Sequence, residues 1–290
     1  MSHQDPALGH FGAAGMWRLP AARSGGARCP QSAREALQNI GVPLLVFPYF
    51  TAADPADAMT LGPYADRASL APPSAGMADW LRLGSDRLTQ LCVRPDGAVQ
   101  AVFLGSWNEE DMLVSSSVAA FTTSLACLDR RLPTIAAATQ LPVAAAAFRE
   151  LNAELRQIDP AAFEDREAWW PRVLDDVRHT LNFPFSAAFE YTDAAGEKQI
   201  ATDATGPGRS HPEELLWWRL KEQGVTPEQV RRVYCELEPC MMPGHYCAAW
   251  MRQTFPDAEF THSFDYGSSA ESRESALKEL ITSAAGQARP

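Results

Sequence analysis

Basic residues are scarce in this 290-residue sequence. It carries 25 Lys and Arg against 36 Asp and Glu, a net charge of −11. From Phe185 onward the count is 10 against 16, so both halves share the deficit. Duplex nucleic acid is gripped through its phosphates by a basic face, and this balance argues against such a face. Long apolar runs are missing as well. The alanine-rich run from Val143 to Phe148 is far below the roughly 18 residues that a membrane span needs. No charged segment leading into an apolar one opens the chain, so no secretory signal is read there. A cytoplasmic protein with a flexible tail over residues 1–15 is the expectation. No Ser/His/Asp order stands out, and no glycine loop is built to cradle phosphate. What remains is an ordinary globular composition, 46% hydrophobic and 21% charged, in a chain long enough for two cores.

Cysteine is sparse but unevenly placed. Cys29, Cys92 and Cys127 lie far apart, whereas Cys235, Cys240 and Cys247 are crowded together. Disulfide frameworks belong to small secreted chains, which this is not. The scattered three therefore read as small core hydrophobes, and the crowded three point to metal or catalysis.

In the first part of the chain, Ser32 and Glu35 have capping-box spacing and open a helix that Gly41 ends. Leu44 to Phe50 is a short apolar run, and Thr51 to Ala78 reads as loop. Strand-like pieces follow at Leu88–Val93, Val99–Leu104 and Met112–Val114, the first two joined by a Pro95-Asp96-Gly97 turn. Ser115-Ser116-Ser117 caps a helix from Val118 to Leu128. The Leu-Pro pairs at 132–133 and 141–142 punctuate what comes next. Helices are expected at about Ala144–Gln157 and Asp165–Thr180, with Trp169 and Trp170 as packing residues. The order resembles the SUKH superfamily, known mainly as immunity domains. Ile40-Gly41-Val42-Pro43, Leu83-Gly84-Ser85-Asp86, the Pro95-Asp96-Gly97 hairpin and the helix after Val114-Ser115-Ser116-Ser117 carry the resemblance. It implies an α+β protein-binding module over residues 16–182, with a protein partner and no catalytic residues.

The second part reads as two strands, Ala187–Thr192 and Gln199–Ala204, then a Gly206-Pro207-Gly208 stop. Ser210 and Glu213 have capping-box spacing, which puts His211, Pro212 and Glu213 on a first helical turn. A strand at Val230–Glu236 leads into Pro239-Cys240, a helix near His245–Gln253, a strand at Ala258–Tyr266 and a last helix over Ser269–Ala284. One imidazole and two thiols can hold a zinc ion and leave its fourth position for water, and Glu213 is placed to move that water's protons. His211-Pro212-Glu213 followed by Pro239-Cys240 resembles the H-x-E…P-C-x-x-C outline of the cytidine-deaminase-like fold. The likeness is greatest to the toxin-associated nucleic-acid or nucleotide deaminases of bacterial polymorphic systems.

That resemblance implies an α/β domain over residues 183–290, a mixed sheet sandwiched by helices. It further implies Zn2+ held by His211, Cys240 and Cys247, and Glu213 as general acid/base. The substrate would be a cytosine- or adenine-type base in a nucleotide or single-stranded nucleic acid. Here six residues separate the thiols where the pattern has two. Pro243-Gly244 can turn the chain back, and His245 or Cys235 stands as an alternative ligand. Glu213 could instead be occupied as the capping carboxylate. Glu236, Glu238, Phe260, Phe264 and Tyr266 are further pocket candidates. The competing reading is a non-enzymatic immunity protein with a degenerate deaminase-like scaffold.

Overall fold

The computed structural model describes residues 5–20, 27–57, 59–105, 109–182, 184–206 and 208–287. Phe183 and Pro207, at the expected module boundary and stop, lie outside them, as does the start of the tail. The rest of that tail is ordered. Asp5 caps a short helix, α1 (Pro6–Phe11), by accepting from the amides of Ala7 and Leu8. Ala7 is fully buried with Ala126, in a stretch where the sequence leads one to expect a flexible tail.

The first part is α+β. Strand β1 (Met16–Trp17) pairs with β2 (Val42–Pro43) across α2 (Gln31–Asn39). Pro30, not Ser32, is the N-cap of α2, and no side chain caps it. A six-stranded antiparallel sheet follows: β3 (Leu45–Val46), β4 (Phe50–Ala52), β5 (Leu81–Ser85), β6 (Gln90–Val93), β7 (Val99–Val102) and β8 (Met112–Ser115). Between β4 and β5 the expected loop holds a helix, α3 (Leu61–Arg67). Successive strand side chains face opposite ways, and here both faces are covered. Leu91, Val93 and Ala101 enter the main core, while Cys92 and Val102 pack with Leu61 and Trp80. Gly97 takes φ +95° in the turn read from Pro95-Asp96-Gly97.

Three helices close the main core: α4 (Val118–Ala136), α5 (Leu141–Ile158) and α6 (Trp169–Asn182). The Ser117 hydroxyl caps α4 as expected, accepting from the Ala120 amide at 3.2 Å. Pro133 does not stop α4, which runs on to Ala136. Trp169 and Trp170 are fully buried core residues.

The second part is a four-stranded sheet in the order β10-β9-β11-β12. Its strands are β9 (Ser186–Thr192), β10 (Lys198–Ala204), β11 (Val230–Leu237) and β12 (Glu259–Phe264). β9 is antiparallel to β10 and β11, whereas β11 and β12 are parallel and joined through α8 (Cys247–Thr254). The sheet is therefore mixed, and α7 (Pro212–Glu222) and α9 (Ala270–Gln287) complete its covering. Phe189, Val233, Leu216, Leu220, Phe255 and Leu280 form its core, each such side chain contributing about 1.5–3 kcal/mol on burial. Among the described residues no helix is long and apolar enough to cross a membrane.

Candidate metal centre

β11 ends at Leu237, and the chain then makes a closed loop before α8. Within it the amides of His245 and Tyr246 both bond the Met242 carbonyl, at 3.1 and 3.0 Å, and Ala248 N bonds Cys240 O at 3.1 Å. The turn over Pro243-Gly244 thus returns the chain, and Cys247 becomes the first residue of α8. The six-residue spacing is no obstacle to bringing the thiols together.

His211 is the N-cap of α7, one position later than Ser210. The carboxylate that reaches back is consequently Glu214, whose Oε2 accepts from the His211 amide at 3.0 Å. Glu213 is left free of capping. It is 2% exposed, its Oε2 has no hydrogen-bond partner among the described residues, and it lies against the Cys235 thiol. Burial raises its proton affinity above that of an ordinary carboxyl.

His211 Nδ1 lies 3.4 Å from Cys240 Sγ and 3.5 Å from Cys247 Sγ. Ligand bonds of about 2.0 Å to nitrogen and 2.3 Å to sulfur at a tetrahedral angle separate N from S by about 3.5 Å. The three donors could hold a metal ion, and the partnerless Glu213 oxygen fits a site with a further polar group to satisfy. Against burial, the hydrogen bond from Cys247 and the His211 imidazole hold the Cys240 thiol well below its usual range, which favours the thiolate a metal needs.

Of the alternative ligands, His245 forms with Asp176 and His211 a second group that could hold a metal ion, although both its ring nitrogens already meet carboxylates. His245 stacks on His211 with ring centroids 3.9 Å apart and planes 2° from parallel. Its Nδ1 meets Glu214 Oε2 at 2.7 Å and its Nε2 meets Asp176 Oδ2 at 3.2 Å. Cys235 faces Glu213, and burial pushes its thiol far up. Of the other candidates, Glu238 and Tyr266 line one surface cavity and Glu238 and Phe260 a neighbouring one, and all five also make framework contacts. Glu236 accepts from Ser186, Glu238 accepts from the amides of Tyr266 and Gly267, and Tyr266 is buried against His179. Phe260 and Phe264 pack at the edge of the second core.

Several site neighbours were not singled out from sequence, and they come from the first part of the chain. Asp176 of α6 accepts from the Tyr49 hydroxyl at 2.9 Å and pairs with His211 Nε2 at 2.9 Å. Despite burial, His245 and His211 hold its carboxyl well below the usual range. Arg87 pairs with Glu214 and donates to the His245 carbonyl at 3.2 Å. Asp86 accepts from Trp169 Nε1 and Tyr246 OH, each at 2.7 Å. One signal was available for Asp176: it lies on the buried stripe Trp169, Val173, Asp176, Thr180, where a carboxylate must have partners.

Residues 5–176 match the family described as SUKH-4 immunity protein, and residues 184–283 match that described as Xanthomonas-like deaminase. No curated protein and no solved structure matches the chain.

Proposed function

From a chain that belongs to the SUKH-4 immunity protein family and carries a deaminase-family domain, we propose a zinc-dependent hydrolytic nucleobase deaminase joined to a protein-binding module, divided near residue 183. The observation that carries it is the convergence of His211 Nδ1, Cys240 Sγ and Cys247 Sγ beside the partnerless Glu213 carboxylate oxygen. The toxin–immunity setting follows from the pairing of the two families, and cytoplasmic action is part of the same reading.

His211, Cys240 and Cys247 would hold the zinc. When bound, it activates a water for attack on the ring carbon that bears the amino group. Glu213 is suited to the proton work: a buried carboxyl with raised proton affinity, Oε2 free, on the first turn of α7. It would take one proton from the water and give it to the ring nitrogen. It would then take the proton of the newly added hydroxyl and give it to the amino group, so that the C–N bond breaks, the carbonyl forms and ammonia leaves. The acidic balance of the second half favours a nucleotide or short single strand over duplex.

The test is metal analysis of the full chain with ammonia release from nucleosides, nucleotides, single strands and duplexes. One zinc per chain is expected. Glu213→Ala should keep it while turnover falls by about 10²- to 10⁴-fold. Strong duplex activity at physiological salt would overturn the charge argument.

A second reading has its own support. Glu213 and His211 are 2% and 4% exposed, with Tyr49 over His245 on the site's first-module side. A non-enzymatic SUKH-4 interaction protein with a degenerate, metal-holding scaffold would show zinc and no ammonia from any substrate.

A further inference from the structure

We propose that Asp176 is a positioning residue for the metal centre, supplied from outside the segment that matches the deaminase family. The proposal rests on the reading that His211, Cys240 and Cys247 hold a metal ion. Asp176 closes the SUKH-4 match at 5–176, eight residues before the deaminase match begins at 184.

Its carboxylate is 3% exposed and both oxygens are engaged. Oδ1 lies 2.9 Å from His211 Nε2, and Oδ2 accepts from the Tyr49 hydroxyl at 2.9 Å and lies 3.2 Å from His245 Nε2. A carboxylate can accept and cannot donate. With a metal in place of the other ring proton, His211 would therefore keep its proton on Nε2 and offer Nδ1, which lies toward Cys240 and Cys247. The ring plane is held separately, by His245 stacked at 3.9 Å on one face and Phe185 edge-on at 5.9 Å. What stacking leaves open is rotation within that plane, and Asp176 closes it. A carboxylate on the second nitrogen of a metal-ligating histidine fixes tautomer and orientation. Here it is anchored through α6 to the first core by Trp169, Val173 and Val177.

The experiment uses the full-length chain and measures zinc affinity by competition with a chromophoric chelator. Absorption spectra of the cobalt-loaded protein report ligand geometry. Asp176→Asn should weaken zinc binding about 10- to 100-fold and alter the cobalt spectrum. Tyr49→Phe removes another contact of the same carboxylate without touching His211, and should change affinity by a clearly smaller factor because the Asp176–His211 contact remains. Equal losses in both variants would point to a loosened interface and overturn the proposal. Unchanged affinity and spectrum for Asp176→Asn would overturn it while leaving the metal reading intact. A wild-type chain that binds neither zinc nor cobalt removes both. Should Asp176→Asn not fold, ring-nitrogen NMR of the zinc-loaded wild type decides. His211 protonated on Nε2 and metal-bound through Nδ1 is expected, and the reverse arrangement overturns the proposal.

Discussion

His179 lies one turn beyond Asp176 on α6, with Nδ1 2.6 Å from the Tyr266 hydroxyl and Nε2 without a partner among the described residues. Burial, reinforced by Arg178, lowers its pKa to about 3. The unfolded chain takes up a proton below about pH 6.5 that the folded chain refuses. The stability His179 contributes is thus fully present above about pH 6.5 and is lost as pH falls from there toward 3. The loss should approach about 1.4 kcal/mol per pH unit. Urea unfolding at pH 7, 6 and 5 should show a steeper decline for the wild type than for His179→Gln, and parallel curves would refute the assignment. At this scale the sequence was partly legible. His211 and Glu213 stand two positions apart on one turn, and local spacing reveals such pairs. It misplaced the cap by one residue, because Ser210 and His211 both precede a proline-led helix and only backbone geometry separates them. That single step frees Glu213 and commits Glu214. Arg87 was illegible as a site residue because its partner lies 127 positions away; for Asp176 the buried stripe announces a need for partners but not that one lies 35 positions on.

The segment from Glu238 to Tyr246 is the element on which the proposed metal centre depends. Gly244 has φ +80°, and a Cβ there would meet Tyr49 Cδ1 at 2.8 Å and the Pro48 backbone at 3.2 Å. Left-handed geometry costs a non-glycine residue about 1–2 kcal/mol, and crowding against backbone adds to it. Gly244→Ala should therefore lower the urea midpoint by about 1–3 kcal/mol of stability and reduce zinc content, since Cys240 and Cys247 flank the deformed turn. Full stability with full zinc would show that the turn tolerates the change. Periodicity found most helices and strands of the fold, including α5, α7, β9, β10 and β11. It missed α3, whose seven residues sit in an alanine- and proline-rich stretch with no cap to announce them. It also ended α4 at Leu128, short of the Leu132-Pro133 pair that the helix passes through, with Ile135 buried beyond it. A different limit applies to α6. Its tryptophan face reads as core, but its Asp175 and His179 face is polar where Arg273 and Tyr266 of the second part meet it, and no local pattern announces such a partner.

Charge buried between the two parts should tie them into one cooperative unit. Asp86, Arg87 and Asp176 belong to the first part, and His211, Glu214, His245 and Tyr246 to the second. A second seam lies along α9, where Glu167 accepts from Ala270 N at 2.6 Å and Arg273 at 3.0 Å, and Arg166 meets Glu271 and Glu274. Separating the parts would leave Glu214, 1% exposed, without one of its cations. Against burial, His245 and Arg87 lower its pKa to about 2, so it is charged at neutral pH. Breaking a buried pair costs more than a surface one because the remaining charge stays out of water. Arg87 is 32% exposed, which moderates the loss; Arg87→Ala should cost about 1–3 kcal/mol. Because the proposed metal donors lie in the second part and their support Asp176 in the first, chelation should act on the whole chain. Calorimetry of the zinc-loaded protein should show one endotherm, displaced downward by a chelator because a ligand that binds only the folded state stabilises all that unfolds with it. Arg87→Ala should lower that endotherm without splitting it. Two endotherms, only one of them moved by the chelator, would show that the parts unfold independently and that the buried pairs between them contribute too little to couple them.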